Sequence, residues 1–188
     1  MNLILKMNAL RPRLRVKSPA TPADILSYAI TDCDLGKVLV ARSAKGVCAI
    51  LLGDDAEELA ADLAARFPKS TLVLGEEAVK GDVAEILRYM AKPCGGLHLT
   101  LDMRGTPFQR RVWEKLLTIP AGQTVSYRDL ARWISPLASP RAVGNACAAN
   151  PLALAIPCHR VLRGTGELAG YRWGIERKRT LIEKEASA

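Results

Sequence analysis

The sequence predicts an α/β fold in two domains, and three observations carry that reading. Residues after Leu26 run in short apolar, strand-like stretches separated by turn residues. The second half carries helix starts followed by apolar residues at helical spacing. Between them, Pro93-Cys94-Gly95-Gly96 breaks the chain. Residues 1–25 are expected to form a basic tail or linker. Residues 26–97 are expected to form an N-terminal α/β domain with a small antiparallel sheet, and residues 98–188 a mostly helical C-terminal domain with a helix-turn-helix.

Each element follows from local chemistry. Arg11-Pro12, Ser18-Pro19 and Thr21-Pro22 oppose regular structure in the leader. SYAITD, KVLVARS and VCAILLG read as three strands, with Asp34-Leu35-Gly36 and Ala44-Lys45-Gly46 as the turns between them. A helix after Gly53-Asp54-Asp55 places Leu59, Leu63 and Phe67 on one face and stops at Pro68, and a second covers residues 78–90. LHLTLDM is a short extended piece. Thr106-Pro107-Phe108-Gln109 is a capping box with proline at the first helical position, and Pro120 closes that helix. Ser126 with Asp129 opens the next, whose apolar side is Leu130, Trp133 and Ile134; Ser139-Pro140 opens a third. These last two helices, joined by residues 135–138, form the expected helix-turn-helix.

Charge separates the two halves. Residues 1–20 hold five Lys/Arg and no acid, residues 21–100 sum to −4, and residues 101–188 sum to +7. That field suits a polyanion such as nucleic acid. The longest apolar runs are far short of a membrane span, and no cleavable leader is evident, which places the chain in the cytoplasm. Five cysteines without C-x-x-C spacing read as reduced thiols, and Cys94 with His98 is too little for a metal site. In the third helix, Ala142, Gly144, Ala146, Ala148 and Ala149 are small, and only Arg141 and Asn145 reach toward base edges. A smooth helix with one cation suits a DNA groove read with little sequence preference; the alternative is packing against the protein's own core.

LALAIPCHRVL raises the chemistry. Its apolar run, residues 152–156, reads as a buried strand delivering Cys158 and His159, with Pro157 fixing the approach. A free thiol with pKa about 8.5 is little ionised at neutral pH, so a histidine accepting its proton, oriented by a carboxylate, would activate it.

IPCHRV, preceded by RAVGNACAANP and followed by GxLAGYRWG, resembles the O6-alkylguanine-DNA alkyltransferase family, nearest to its bacterial adaptive-response repair domain. The resemblance implies a ribonuclease-H-like N-terminal domain and a C-terminal alkyltransferase and DNA-binding domain. Cys158 would take the alkyl group from O6 of guanine, and of O4-alkylthymine too, once per molecule and without a cofactor or metal. His159 would act through a water, Glu185 would orient it, and Asn150 would tie the recognition helix to the active-site segment. Tyr127 and Arg141 would flip the base and fill its place, with Ala142, Gly144, Asn145 and Ala148 against DNA. Cys147, Pro157, Leu168, Ala169, Gly170, Tyr171, Arg172 and Gly174 would shape the base pocket. Arg172 and Trp173 stand where some relatives carry small residues, and this chain's cysteines and histidines do not support the zinc site of some relatives. The implied partner is double-stranded DNA holding alkylated guanine, met by a monomeric bacterial protein associated with the nucleoid. The alternative is a non-catalytic protein that binds alkylated DNA and recruits other repair factors; in that group the acceptor cysteine is replaced, so Cys158 argues against it.

Overall fold

The structure, a computed structural model, describes residues 24–93 and 95–187. Most of the expected leader and Cys94 lie outside these residues. Strand β1 (Ile25–Cys33) begins at Ile25, the last residue assigned to the expected tail. β1, β2 (Gly36–Ser43) and β3 (Gly46–Gly53) form two consecutive hairpins with two-residue turns, pairing Cys33 with Gly36 and Ser43 with Gly46. β3 is almost wholly buried and β2 buries its central Val38, Leu39, Val40 and Ala41, consistent with their apolar runs.

Helix α1 (Ala56–Arg66) starts where the Asp55 carboxylate accepts the Glu58 amide and buries Leu59 and Leu63. The chain returns as β4 (Thr71–Leu74), parallel to β1, giving the order β3-β2-β1-β4. The sequence reading contains no β4. TLVL is four residues long and mostly exposed, so its pattern carries little signal; Thr71 and Gly75 donating to Asp24 and Tyr28 carbonyls hold it. Helix α2 (Glu76–Ala91) follows and buries Val79, Ile86, Tyr89 and Met90.

The open edge of β3 joins the two halves. Val47 N–H donates to the Thr100 carbonyl and Asp102 N–H to the Val47 carbonyl, both at 2.8 Å, pinning the extended LHLTLDM segment. Gly46 is required there: a Cβ would lie 2.5 Å from the Thr100 oxygen, and its φ is 144°. Further along the same edge, Ile50 exchanges hydrogen bonds with Pro151 and Ala153.

Helix α3 (Pro107–Leu116) has the full capping box, with Thr106 and Gln109 satisfying each other's amides. β5 (Val125–Ser126) leads into α4 (Tyr127–Ile134), capped by Ser126, and α5 (Pro140–Ala148) is capped by Ser139. On α4, Leu130 and Ala131 are buried, whereas Trp133 is half exposed beneath Lys115, whose ammonium lies 5.5 Å from the ring centroid; Trp133 is therefore not on the apolar side expected for it. β6 (Val161–Leu162) pairs parallel with β5, another short pairing the sequence did not signal, and α6 (Ile175–Ala186) ends the chain.

The expected strand at residues 152–156 is a turn. Asn150 Oδ1 accepts the Leu152 amide at 2.9 Å, and its Nδ2 donates to the Leu152 and Ile156 carbonyls. These peptide groups therefore need no strand partner, and Leu154 adopts φ 66° within the turn. Only Leu152 bridges to β3. The result is a mixed α/β fold with a small sheet and, among the described residues, six helices over one connected core running from Leu26 to Leu181. No helix among those residues is long and apolar enough to cross a membrane.

Candidate active site

Residues 158–160 form a single 3-10 turn, in which successive side chains project about 120° apart. This geometry sends three adjacent residues to three surroundings. Cys158 faces a cavity of about 310 Å³. His159 turns to α6, and Arg160 reaches Tyr89 and the Ile119 carbonyl.

The cavity lies between α5 and the loop preceding α6. Gly144, Cys147 and Ala148 form its α5 side, Tyr127 stands beside them, and Gly170, Tyr171 and Arg172 face them. Of the other expected wall residues, Leu168, Ala169 and Gly174 do not line it; Gly174 has φ 96° and caps α6 instead. Pro157 lines a separate cavity of about 360 Å³, because the 3-10 turn begins after it and points Cys158 the other way. Tyr171 and Trp173 meet edge to face with centroids 5.1 Å apart. The Arg172 guanidinium is held by Asp62 of α1 at 2.6 Å.

Cys158 is 3 % exposed, and burial pushes its thiol up to about 11. Asn150 Nδ2, 3.3 Å from Sγ, opposes that shift most, followed by the charge of Lys178 and a backbone hydrogen bond. Lys178 was absent from the sequence reading. It is fully buried, donates to the Val161 carbonyl at 2.5 Å and lies 6.0 Å from the Tyr127 ring centroid. Its signal was present in the spacing: Lys178, Leu181 and Glu185 share the buried face of α6 at i, i+3 and i+7.

His159 is fully buried, with Nε2 2.9 Å from Glu185 Oε1. Burial pushes its pKa down, opposed by Glu185. Burial alone would raise the Glu185 carboxyl, but hydrogen bonds from His159 and Arg160 hold it well below the ordinary carboxylate range. An ionised carboxylate only accepts, so the imidazole proton sits on Nε2. His159 Nδ1, buried and without a hydrogen-bond partner within the protein, is then the basic nitrogen. His98, by contrast, is exposed and pairs with Glu85.

On α5, Arg141, Asn145 and Ala148 are exposed and Ala142 and Gly144 half-buried, while Val143, Ala146 and Cys147 pack inward. Trp113 Nε1 donates to the Ala146 carbonyl at 2.9 Å and fixes the helix. The small residues therefore divide: Ala146 packs inward, and Gly144 and Ala148 border the cavity.

A mixed α/β chain with a buried thiol facing a cavity, adjacent in sequence to a carboxylate-held imidazole, has the arrangement that a cysteine nucleophile would need. Residues 107–187 match the family model described as 6-O-methylguanine DNA methyltransferase, DNA binding domain. The chain is 49% identical over 159 residues to the bifunctional transcriptional activator/DNA repair enzyme Ada of Escherichia coli, covering 85% of this chain and 45% of Ada. It is 42% identical over 123 residues to the inducible methylated-DNA–protein-cysteine methyltransferase of Bacillus subtilis, covering 65% and 69%. The crystal structure of Mycobacterium tuberculosis O6-methylguanine methyltransferase superposes with a TM-score of 0.72 at 36% identity, over 86% of this chain and 93% of that one. A second structure, M. tuberculosis OGT in complex with DNA, gives 0.70 at 34% identity, over 87% and 93%. The chain belongs to the methylated-DNA–protein-cysteine methyltransferase family. It spans less than half the length of Ada.

Proposed function

We propose that this chain repairs DNA by direct reversal, moving the alkyl group of O6-alkylguanine irreversibly to Cys158. The observation that carries this reading is the Cys158 thiol facing a cavity of about 310 Å³ while His159, held by Glu185, keeps Nδ1 free as a base. His159 takes the thiol proton through a water, and the thiolate is stabilised by Asn150 Nδ2 and Lys178. Sulfur attacks the alkyl carbon in line, the carbon–O6 bond breaks as the carbon–sulfur bond forms, and guanine leaves after regaining a proton. The thioether is a poor leaving group, so each molecule reacts once. The reaction needs no cofactor, since the lesion is the alkyl donor. O4-alkylthymine presents the same bond and is a second substrate.

O6 of a stacked guanine is out of reach of a buried thiol, so the nucleotide must be extruded, at a cost of about a few kcal/mol. We assign α4 and α5 as a helix-turn-helix lying on double-stranded DNA, with Tyr127 pressing on the backbone and Arg141 filling the vacated stack. Gly144 supports this assignment. A Cβ there would meet only the Tyr127 ring at 3.8 Å, ordinary contact, so the protein's own packing does not require glycine. Close approach of DNA does. With few base-reading side chains on α5, binding has little sequence preference. In this reading residues 26–97 are a ribonuclease-H-like scaffold behind a basic leader, residues 98–188 carry transfer and DNA binding, and the protein acts as a cytoplasmic monomer at the nucleoid.

The test is mass spectrometry after incubation with a duplex containing O6-methylguanine. One methyl is gained on Cys158 and none in Cys158→Ala. An unmodified protein that still binds the lesion would instead be a recruiting factor, and one that neither binds nor reacts would sink both readings.

A further inference from the structure

Glu185 is the meeting point of both halves of the chain. Its Oε1 accepts three hydrogen bonds: from His159 Nε2 at 2.9 Å, Arg160 Nη2 at 2.8 Å and the Tyr89 hydroxyl at 2.9 Å. Oε2 takes Arg160 Nε at 2.8 Å and the Gly122 amide at 3.4 Å. Tyr89 sits on α2, 96 residues away in sequence and outside the stretch matched by the family model. It is 3 % exposed, and its oxygen also accepts from Arg160 Nη2 at 3.1 Å, so its own proton is committed to Glu185.

We propose that Tyr89 is a positioning residue for the transfer step: its hydroxyl shares Glu185 Oε1 with His159 and so sets how tightly the carboxylate holds the imidazole. The inference rests on the alkyl-transfer reading above. A carboxylate oxygen has about two lone-pair directions, so three donors compete for it. Each donor disperses the carboxylate charge, and a less concentrated charge stabilises imidazolium less. Tyr89 therefore keeps His159 neutral, as a base must be before it takes a proton. It remains a donor throughout, because burial pushes its phenol up to about 12.

The groups facing His159 and Glu185 are few. Arg160 and Cys158 come from the same turn, Lys178 from α6, Tyr171 from the pocket loop and Tyr89 from α2. Arg160 and Lys178 both disfavour the imidazolium; the Arg160 guanidinium is held in its charged form by Glu185, while burial pushes the Lys178 ammonium down from the ordinary lysine range. Of the two tyrosines in this set, Tyr89 is the one whose hydroxyl donates to Glu185, and deleting that hydroxyl removes neither a charge nor the packed ring.

The experiment compares the full chain with Tyr89→Phe in single-turnover methyl transfer from an O6-methylguanine duplex across pH 5 to 9. Loss of the hydroxyl concentrates the Glu185 charge, raises the proton affinity of His159 and moves the acid limb of the rate profile upward. The expected shift is about half a pH unit, roughly a threefold slower rate on that limb. Duplex affinity stays unchanged, and the thermal midpoint falls modestly because two buried hydrogen bonds are lost. Superimposable profiles overturn the proposal, and so does equal slowing at every pH, which would reflect only a loosened core. A second readout needs no transfer: the His159 imidazole titration, followed by NMR, moves up by the same half unit, and an unmoved titration overturns the proposal. If the parent protein transfers no methyl, the reading of Cys158 as acceptor fails, while the NMR comparison still judges Tyr89.

Discussion

Burial works against ionisation of both Cys158 and His159. It raises the Cys158 thiol to about 11 and lowers the His159 imidazole, so each favours its neutral form. In the proposed reaction, a thiol and an imidazole that both rest neutral would stay inert until an electrophile enters the cavity, which would spare an acceptor that is used once. The same burial leaves a mark on stability. A histidine whose folded pKa lies below its unfolded value of about 6.5 binds fewer protons than the unfolded chain below that pH, so stability falls as pH drops. The depressed carboxyls, Asp24, Asp34, Glu85 and Glu185, add their losses only below about pH 4.5. The other histidine, His98, is exposed. Burial of His159 therefore predicts a loss between pH 6.5 and 5. The thermal midpoint should fall as pH is lowered from 7 to 5, and fall less in His159→Gln; parallel curves would assign the loss elsewhere.

Helix α5 shows how an element is made less stable than it need be. Glycine within a helix costs about 0.5–1 kcal/mol relative to alanine. At Gly144 the space for a methyl exists within the protein. Gly144→Ala should therefore raise the thermal midpoint while weakening binding to duplex DNA, a pairing that calorimetry and a binding titration would measure. A gain in stability with unchanged affinity would remove DNA approach as the reason for glycine. At this scale much of the molecule was legible beforehand. Caps at Asp55, Thr106, Ser126 and Ser139 are local signals, and all four start helices. The two hairpins follow from turn residues between apolar runs. β4, β5 and β6 were not legible, because strands of two to four residues exist only through distant partners. The turn at residues 152–156 was misread for a related reason. Five apolar residues fit a strand equally well, and a single side chain, Asn150, decided the outcome through bonds its own position does not advertise. In the site, the structure brings the 158–159 pair together with Asn150 and Glu185, whereas Tyr89 and Lys178 do not stand out in the sequence, each an unremarkable residue on a helical face.

Over the whole molecule the charge is divided by half of the chain: residues 21–100 sum to −4 and residues 101–188 to +7. The second half also carries the exposed arginines Arg110 and Arg111 on α3, Arg128 and Arg132 on α4, Arg141 on α5 and Arg163 after the active-site turn. Some of this charge is already paired, as Arg132 is with Asp129 and Arg163 with Glu167, so the field available to DNA is smaller than the count of arginines. Each phosphate neutralised releases counterions and adds about 0.9 to the slope of log affinity against log salt. With Arg110, Arg111 and Arg128 outside such pairs and Arg141 assigned to the stack, the slope for duplex DNA should be on the order of −3. Arg141→Ala separates two roles for its cation. If Arg141 met only a phosphate, its loss would flatten the slope by about 0.9 and weaken all duplexes alike. As a residue that enters the stack in place of the extruded nucleotide, it should leave the slope nearly intact and slow methyl transfer from duplex DNA. Transfer from free O6-methylguanine base, which needs no extrusion, should proceed at the parent rate. A flattened slope with unaltered duplex transfer would make Arg141 a phosphate contact and leave extrusion to Tyr127 and the lesion's own weakened pairing.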